Sequence, residues 1–323
     1  MKRAILSLIL AGILLLSACA GVEPKKSGDI ATEPETETVT AGEFSFADLK
    51  NIEFFFQSGV GGWRTTLHIA PDGRFSGVFY DSDLGDIGEG YPNGVVYRCD
   101  FNGQFTQPEK VNEYTYSVKI IDMNYDQEEN TEEIKDGTLY RYSGAYGLED
   151  AENIMIYLPG APTSELPEDF RLWIRYYDLS NAPEKLPFYA LNIEAQQFGF
   201  TSSYISEYIR EMLKMREDMA QPLENSLISG LLTQTEMNET SSKICEVWYE
   251  ALDEILYYLK LIKSDEEMNP IIEEQSAWIA KKHQEVEAAG AEFEGGTMQP
   301  LIMNDTDAEM TKARAYELME LFD

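Results

Sequence analysis

The sequence predicts an α+β protein in which an antiparallel β barrel or sandwich is followed by an α-helical bundle. Short runs of alternating apolar residues fill residues 44–200, and this alternation is typical of half-buried strands. From residue 201 to 323 the apolar residues recur at helical spacing instead. After residue 18, no apolar run reaches the roughly 20 residues that a membrane-spanning helix needs. We therefore expect two domains behind an N-terminal export signal.

Residues 1–18 have the features of a signal peptide. The basic start Met1-Lys2-Arg3 runs into the apolar stretch from Ala4 to Leu16, which is too short to span a bilayer. The segment Leu16-Ser17-Ala18-Cys19 resembles the lipobox of bacterial lipoproteins. The resemblance implies cleavage before Cys19, acyl chains on that cysteine and stable anchoring at the outer face of the cell membrane. An ordinary signal peptide that happens to end in a cysteine is the alternative.

Residues 19–43 are expected to form a disordered tether. They are rich in Pro, Glu, Thr, Ser and Lys and contain almost no large apolar residue. Such a segment cannot bury enough apolar surface to offset the entropy that ordering would cost. The tether would connect the lipid anchor to the first strand.

The β-rich domain is predicted over residues 44–200. Five runs carry the strand pattern: Ile52 to Phe56, Trp63 to Ile69, Phe75 to Tyr80, Val95 to Phe105 and Tyr114 to Ile121. Three segments have turn chemistry: Pro71-Asp72-Gly73, Pro92-Asn93-Gly94 and Asn102-Gly103. The many aromatic residues of these runs are expected in the core, with an aromatic-lined ligand pocket at a barrel mouth as the alternative.

One acidic loop in this domain raises the question of a metal site. Asp81, Asp83, Asp86 and Glu89 stand among glycines that allow the backbone to fold around a cation. Calcium prefers such oxygen ligands, although the spacing differs from that of an EF-hand. Calcium is the one cofactor that the sequence suggests, and a plain acidic surface loop is the alternative.

The helical domain, residues 201–323, begins its elements with recognisable caps. Thr233-Gln234-Thr235-Glu236 and Ser264-Asp265-Glu266-Glu267 both have the form of a capping box. They predict a helix of about 30 residues that ends near Lys263 and a second helix that starts near Asp265. Gly295-Gly296 is expected to end the second helix, and a last helix is predicted from Asp305 to Phe322. Antiparallel helices joined by short connections form a bundle.

The charge balance restricts the classes of partner. The formal net charge of -33 argues against binding to nucleic acid, whose phosphates would repel the chain. A cationic protein remains compatible with this charge. Solubility of an exposed lipoprotein explains the same charge without any partner.

Enzyme chemistry has no visible basis in the sequence. Neither histidine, His68 or His283, has neighbours at the spacing of a catalytic triad, and no zinc, Walker or dinucleotide motif is present. We therefore expect a protein that is not an enzyme. Of the three cysteines, Cys99 and Cys245 remain after lipidation. Two buried free thiols are expected, with one cross-domain disulfide as the alternative.

The last hundred residues contain a family resemblance. It is carried by four segments in order: Thr233 to Asn238, Ala277 to Ala280, Glu294 to Thr297, and Thr311 to Arg314 with Glu317-Leu318. Together they resemble the lysozyme inhibitor LprI-like (N-terminal domain) family, over a core from residue 227 to 322. The resemblance implies a small helical unit found in secreted or lipid-anchored bacterial proteins, whose named member inhibits lysozyme. The strand region is similar to a module of Gram-positive lipoproteins, from which no activity follows.

The chain departs from the family at its cysteines. By alignment, Thr240, Val286 and Thr306 occupy positions where members carry cysteine. The joint loss implies that packing replaces disulfides in this chain. The fold is expected to survive this change better than the inhibitory activity does.

Two functional hypotheses follow. In the first, the protein is a membrane-anchored extracellular lipoprotein that binds, and inhibits, a basic lysozyme-like cell-wall hydrolase. Its candidate contact is the segment Glu294, Gly295, Gly296, Thr297 and Met298, which would occlude the catalytic cleft. In the second, it is a structural or sensory envelope lipoprotein that binds another envelope component without inhibiting lysozyme.

Overall fold

The computed structural model describes residues 43–58 and 62–322 of the 323-residue chain. Within these ranges there are twelve strands: β1 Ile52–Gln57, β2 Trp63–Ile69, β3 Arg74–Asp83, β4 Val95–Phe105, β5 Glu109–Lys110, β6 Thr115–Val118, β7 Ile120–Tyr125, β8 Glu132–Lys135, β9 Thr138–Tyr142, β10 Ile154–Tyr157, β11 Ala190–Ile193 and β12 Phe198–Tyr204. The α-helices are α1 Glu168–Trp173, α2 Ile205–Ile228, α3 Gln234–Ile262, α4 Asp265–Ala291 and α5 Gln299–Met319. A large β-sheet region followed by long helices confirms the predicted α+β class.

The predicted signal peptide, the lipidated Cys19 and the tether up to residue 42 lie outside the described residues. Among the residues that the structure describes, no helix combines the length and the apolar character that crossing a bilayer requires. The described residues from Ser45 onward form one compact unit.

The strands form one curled sheet. Neighbouring strands are antiparallel except β9, which runs parallel to β4. Only Lys119 separates β6 from β7, yet β6 pairs with β10 and β7 pairs with β4. Since β10 and β4 lie towards opposite ends of the strand order, this bent stretch of chain joins the two sides of the sheet. Such closure is the topology of a barrel rather than of two stacked sheets.

Aromatic side chains fill the interior at one end of the curled sheet. The ring of Phe56, fully buried, lies 4.7–5.4 Å from five other rings: Trp63, Tyr146, Trp173, Phe198 and Phe200. Phe75 and Phe105 form a second contact inside the sheet, with ring centroids 4.3 Å apart. Because these rings pack against one another, most of the predicted aromatics belong to the core.

One predicted turn is wrong. Asn102-Gly103 lies inside β4, where Gly103 pairs with Phe75 of β3 on one side and with Met123 of β7 on the other. A Cβ atom at Gly103 would come within 2.3 Å of the carbonyl oxygen of Asp122. Glycine is therefore required for the close approach of neighbouring strands, and not for a turn. At Gly73 and Gly94 the φ angles are 84° and 93°, as the predicted turns require.

Both capping boxes are confirmed. Thr233 Oγ1 accepts a hydrogen bond from the backbone N–H of Glu236, and the Glu236 carboxylate accepts one from the backbone N–H of Thr233 at 2.7 Å. Ser264 and Glu267 make the same reciprocal pair at the start of α4. The predicted start of the last helix at Asp305 is wrong, because α5 begins at Gln299. Proline in the first turn of α5 accounts for the earlier start, since its missing N–H is not needed there.

Helices α2 and α3 cover the outer face of the sheet beside β1 and β2. The ring of Phe55 lies 5.9 Å from that of Tyr208 on α2, which in turn lies 5.3 Å from that of Tyr258 on α3. Under these helices, Glu53 and His68 are 2% and 4% exposed, with Oε2 and Nδ1 3.9 Å apart. We call this region the sheet–helix interface.

Burial is the main cause of the pKa shifts of Glu53 and His68 at this interface. It raises the pKa of Glu53 to about 8, against smaller opposing effects of Thr66 and Arg64. Burial also lowers the pKa of His68 to about 4, against a hydrogen bond to the Ile52 carbonyl. Both side chains are therefore mainly uncharged near neutral pH.

Candidate partner-binding site

The directions of the four long helices bring two connections to one end of the bundle. Helix α3 runs parallel to α5, since Cys245 contacts Asn304 and, further along, Tyr249 contacts Asp307. Helices α2 and α4 run in the opposite direction. Arg216 of α2 pairs with Glu250 of α3, whereas Tyr208, earlier in α2, binds Glu254, further along α3. In the same way, Lys282 of α4 binds Asp307 of α5, whereas Gln275, earlier in α4, binds Arg314, further along α5. Residues 229–233, between α2 and α3, and residues 292–298, between α4 and α5, therefore lie at the same end. We call it the distal end; the sheet–helix interface lies at the other end.

The predicted contact segment lies in the second of these connections. Glu294, Gly295, Gly296, Thr297 and Met298 are all exposed, Met298 by 43%. Gly295 has a φ of 72°, a conformation that disfavours other residues. The structure therefore places this segment where another protein can reach it.

Hydrogen bonds hold the contact segment against the first turns of α3. Asn238 donates from Nδ2 to the carbonyl oxygen of Thr297 at 3.0 Å, and its Oδ1 accepts from Gln234 at 2.9 Å. At the other side, the N–H of Gly295 donates to Oε1 of Gln299 at 3.0 Å. The segment is thus fixed at both ends, although its side chains face solvent.

We expect Asn238→Ala to loosen this segment. The substitution removes the donor to the Thr297 carbonyl, which would lower the free energy of unfolding by about 1 kcal/mol. Hydrogen–deuterium exchange should become faster in peptides that cover residues 292–299.

Asn269→Ala is the matched control, because Asn269 lies exposed on α4 at the other end of the bundle. Equal exchange in the two variants would show that Asn238 does not fix the contact segment.

The two stretches of chain that meet at the distal end carry acidic but no basic side chains. No Lys, Arg or His occurs between residues 217 and 242 or between residues 284 and 311. These two stretches contain both connections, and the exposed acids closest to them are Glu236, Glu239, Glu292 and Glu294. The fold therefore concentrates negative charge at one end of the bundle, where a cationic surface would be attracted.

The first connection carries apolar residues that the sequence reading overlooked. Ile228, at the end of α2, and Leu231 are 84% and 86% exposed. The available signal was an apolar stretch, Leu227 to Leu232, interrupted only by Ser229-Gly230 before the α3 cap. In sequence it looks like helix core, and only the fold shows that two of its side chains lack a packing partner.

Below the distal end, a buried lysine ties three helices together. Lys282 of α4 is 4% exposed and donates to Asp307 of α5 at 2.9 Å and to the hydroxyl of Tyr249 of α3 at 2.8 Å. The Tyr249 hydroxyl donates to Asp307 at 2.6 Å, and burial, followed by Asp307, raises the pKa of Tyr249. The lysine also lies 5.2 Å from the ring of Trp278. We call these residues the Lys282 network.

Several residues that carried the family resemblance are structural. Trp278 packs against the core of the bundle. Arg314 is 2% exposed and binds Glu274 and Glu317 at 2.8 Å each. These side chains stabilise the helices, so a partner is not needed to explain them.

Three carboxylates of the predicted calcium loop, those of Asp81, Asp83 and Asp86, have separate partners, and that of Asp81 accepts a hydrogen bond from the backbone N–H of Ser82. Asp81 and Asp83 lie in β3, where Asp83 Oδ1 accepts from the N–H groups of Gly85 and Asp86. Asp86 forms an ion pair with Arg141 at 3.1 Å, and Glu89 lies in the turn that follows. Among the described residues, no group of three or more His, Cys, Asp or Glu side chains is arranged to hold a metal ion. The calcium site stays a prediction from the sequence.

The remaining sequence candidates occupy separate places. Cys99 in β4 and Cys245 in α3 are both free and buried. Burial raises the pKa of each thiol to about 12, so neither is reactive as a thiolate at neutral pH. His283 is exposed on α4 and His68 lies in the sheet–helix interface.

Comparison with known proteins gives a family match, which lies in the helical region. Residues 229–318 match the family described as lysozyme inhibitor LprI, which confirms the resemblance in the C-terminal third of the chain. A protein of Rhizobium meliloti (strain 1021), described as uncharacterized, is 41% identical over 49 residues. That alignment covers 15% of this chain and 35% of the relative, so the chain spans about a third of the relative's length. No solved structure matches the chain.

Proposed function

We propose that this protein, whose residues 229–318 match the lysozyme inhibitor LprI family, binds and inhibits a basic lysozyme-like cell-wall hydrolase through the distal end of its bundle. One observation carries the proposal. The fold brings together two stretches without any basic residue, 217–242 and 284–311, and exposes apolar side chains among their acids. Apolar anchors surrounded by charge form the usual composition of a protein-binding surface.

Electrostatic attraction provides the first step of binding. A protein with net charge -33 that concentrates carboxylates at one end would orient a basic partner towards that end as the two approach. Such attraction acts over about 8 Å at physiological ionic strength and weakens as salt is added. It therefore mainly raises the association rate.

Inhibition requires that the bound protein cover the catalytic cleft. The segment from Glu294 to Met298 is exposed, and Asn238 and Gln299 hold its ends by hydrogen bonds. A segment that is already ordered loses little entropy when it enters a cleft. We assign it the occluding role, and we assign no catalytic chemistry to this protein.

The N-terminal residues give the proposal its location. Cleavage before Cys19 and acylation of that residue would hold the protein at the extracellular face of the cell membrane, and the tether would let it reach the cell wall. Hydrolases that attack the envelope from outside would then meet the inhibitor at the surface they degrade.

A second candidate function follows from the region before residue 229, where the family match begins. The β-rich region, residues 44–204, and α2 lie outside the matched segment. A structural or sensory envelope lipoprotein that binds another envelope component accounts for this additional region. In that case the helical unit would bind a partner other than lysozyme.

The test is hydrolysis of peptidoglycan by egg-white lysozyme in the presence of a soluble version that begins at Gly21. We expect inhibition beyond that of an unrelated protein of equal negative charge, and less inhibition at raised salt. Glu292→Gln/Glu294→Gln should weaken it by about tenfold through slower association, because the rim of an interface controls the encounter.

The matched control is Glu128→Gln/Glu152→Gln, which removes the same charge from exposed positions of the β-rich region. No inhibition by the wild type at micromolar excess would rule out the inhibitor function for this lysozyme. Equal weakening by both double variants would show that total charge, and not the distal end, governs the effect.

A further inference from the structure

We propose that the α2–α3 connection is the apolar anchor of this surface, and that Ile228 and Leu231 insert into an apolar part of the cleft of the basic partner. The inference rests on the proposed function and identifies a contact that the family match does not supply. Ile228 in fact precedes the matched segment, which begins at residue 229.

The exposure of these two side chains is the first argument. At 84% and 86% they are the most exposed of the large hydrophobic residues in the described part of the chain. A single exposed leucine is ordinary on a protein surface. Two such residues within four positions form an apolar patch whose exposure to water is unfavourable, and the 43%-exposed Met298 lies at the same end of the bundle.

The second argument is that the connection is ordered. Ser229 donates from Oγ to the carbonyl oxygen of Ser226 at 2.7 Å, and the N–H of Leu231 donates to Oγ of Ser229 at 3.2 Å. Gly230 completes the turn with a φ of 70°, which lies in the left-handed region that favours glycine. Both apolar side chains are therefore held outward before any partner arrives, so binding has little chain entropy left to remove.

The third argument concerns which protein binds to the apolar patch. The acids that surround the patch would repel a second copy of this chain, which brings only acids to the same end. A basic protein with an apolar groove satisfies both the acidic rim and the apolar centre. The charge therefore selects a cationic partner over self-association.

The acidic residues at the rim and the apolar anchor residues affect different rate constants of binding. Charges at the rim change the association rate and its dependence on salt. Apolar anchors that become buried at the centre of an interface change the dissociation rate instead. The proposal can thus be tested separately from electrostatic attraction.

The experiment measures association and dissociation rates with egg-white lysozyme as the immobilised probe. The soluble version from Gly21 is compared with Ile228→Ser/Leu231→Ser and with Ile272→Ser/Ile279→Ser. The second pair is a matched control, because Ile272 and Ile279 are 54% and 42% exposed on α4, away from both connections. We expect the first pair to dissociate about tenfold faster or more, with an unchanged salt dependence of association, and the control to behave like the wild type.

Thermal denaturation of each variant tests whether the fold is retained, and sedimentation measures whether the protein self-associates. If the wild type binds and Ile228→Ser/Leu231→Ser dissociates at the wild-type rate, the assignment of these residues as the anchor is wrong while the proposed function stands. If the control pair dissociates equally fast, general surface hydrophobicity explains binding and the anchor is again wrong. A wild-type dimer that the first pair abolishes would make a second copy the occupant and overturn the proposal. Failure of the wild type to bind would overturn the proposed function, and the anchor with it.

Discussion

Lys282→Met is expected to lower the free energy of unfolding by about 3–5 kcal/mol, the usual cost of removing one partner from a buried ion pair. The substitution keeps the length of the side chain and leaves Asp307 without its cation. Hydrogen bonds from Tyr249 and Thr311 to Asp307 remain, but they do not neutralise its charge. Denaturant unfolding followed by circular dichroism measures the loss.

Two further variants separate charge from packing in the Lys282 network. Lys281→Met, at the exposed neighbouring position, should change stability by less than about 0.5 kcal/mol. Lys282→Met/Asp307→Asn should be more stable than Lys282→Met alone, because it leaves no uncompensated charge. A Lys282→Met protein as stable as the Lys281→Met protein would show that the network contributes nothing to the stability of the bundle.

The second large effect is a loss of stability above neutral pH that depends on Glu53. The pKa of this carboxyl is about 8 in the folded protein and 4.5 in an ordinary environment, so the folded state keeps a proton that the unfolded chain releases. Stability from this group is complete below about pH 4.5 and is lost as the pH rises through about 8. Since one pKa unit corresponds to about 1.4 kcal/mol, the full effect is roughly 5 kcal/mol.

The effect of His68 on the pH dependence of stability has the opposite sign. Its pKa falls from 6.5 to about 4 on folding, so its contribution is complete above about pH 6.5 and is lost as the pH falls through about 4. Between pH 4.5 and 6.5 the effects of the two residues largely cancel, and above pH 6.5 mainly that of Glu53 remains.

Unfolding in urea at a series of pH values tests this expectation. The wild type should lose roughly 1.5 kcal/mol between pH 6.5 and 8, which is most of one proton's linkage over that interval. Glu53→Gln should remove this decline, and Glu109→Gln, at an exposed position, should retain it. The same slope in all three proteins would mean that Glu53 titrates normally.

The candidate site shows how far sequence reading extends. The sequence marks Glu294 to Met298 as a connection, because glycines there stand between helical patterns, and the structure shows it exposed between α4 and α5; its contact with a partner stays a prediction. Ile228 and Leu231 were missed because apolar residues beside a helical pattern predict core. Whether such a residue is buried depends on which helix packs over it, and α2 ends before any neighbour covers these two positions.

Local sequence signals were sufficient to predict many of the helices, strands and turns of this protein. Their arrangement in space depends on packing between segments far apart in the chain. The capping boxes at Thr233 and Ser264 and the turn before β3 are predictable because the interacting groups lie within a few residues of each other. Closure of the sheet through Lys119, by contrast, depends on pairing between segments far apart in the chain. The contact of Asn238 with Thr297, the burial of Lys282 and the meeting of Glu53 with His68 depend on such distant pairing as well. Their energies come from desolvation and packing between distant groups, which no spacing in the sequence records.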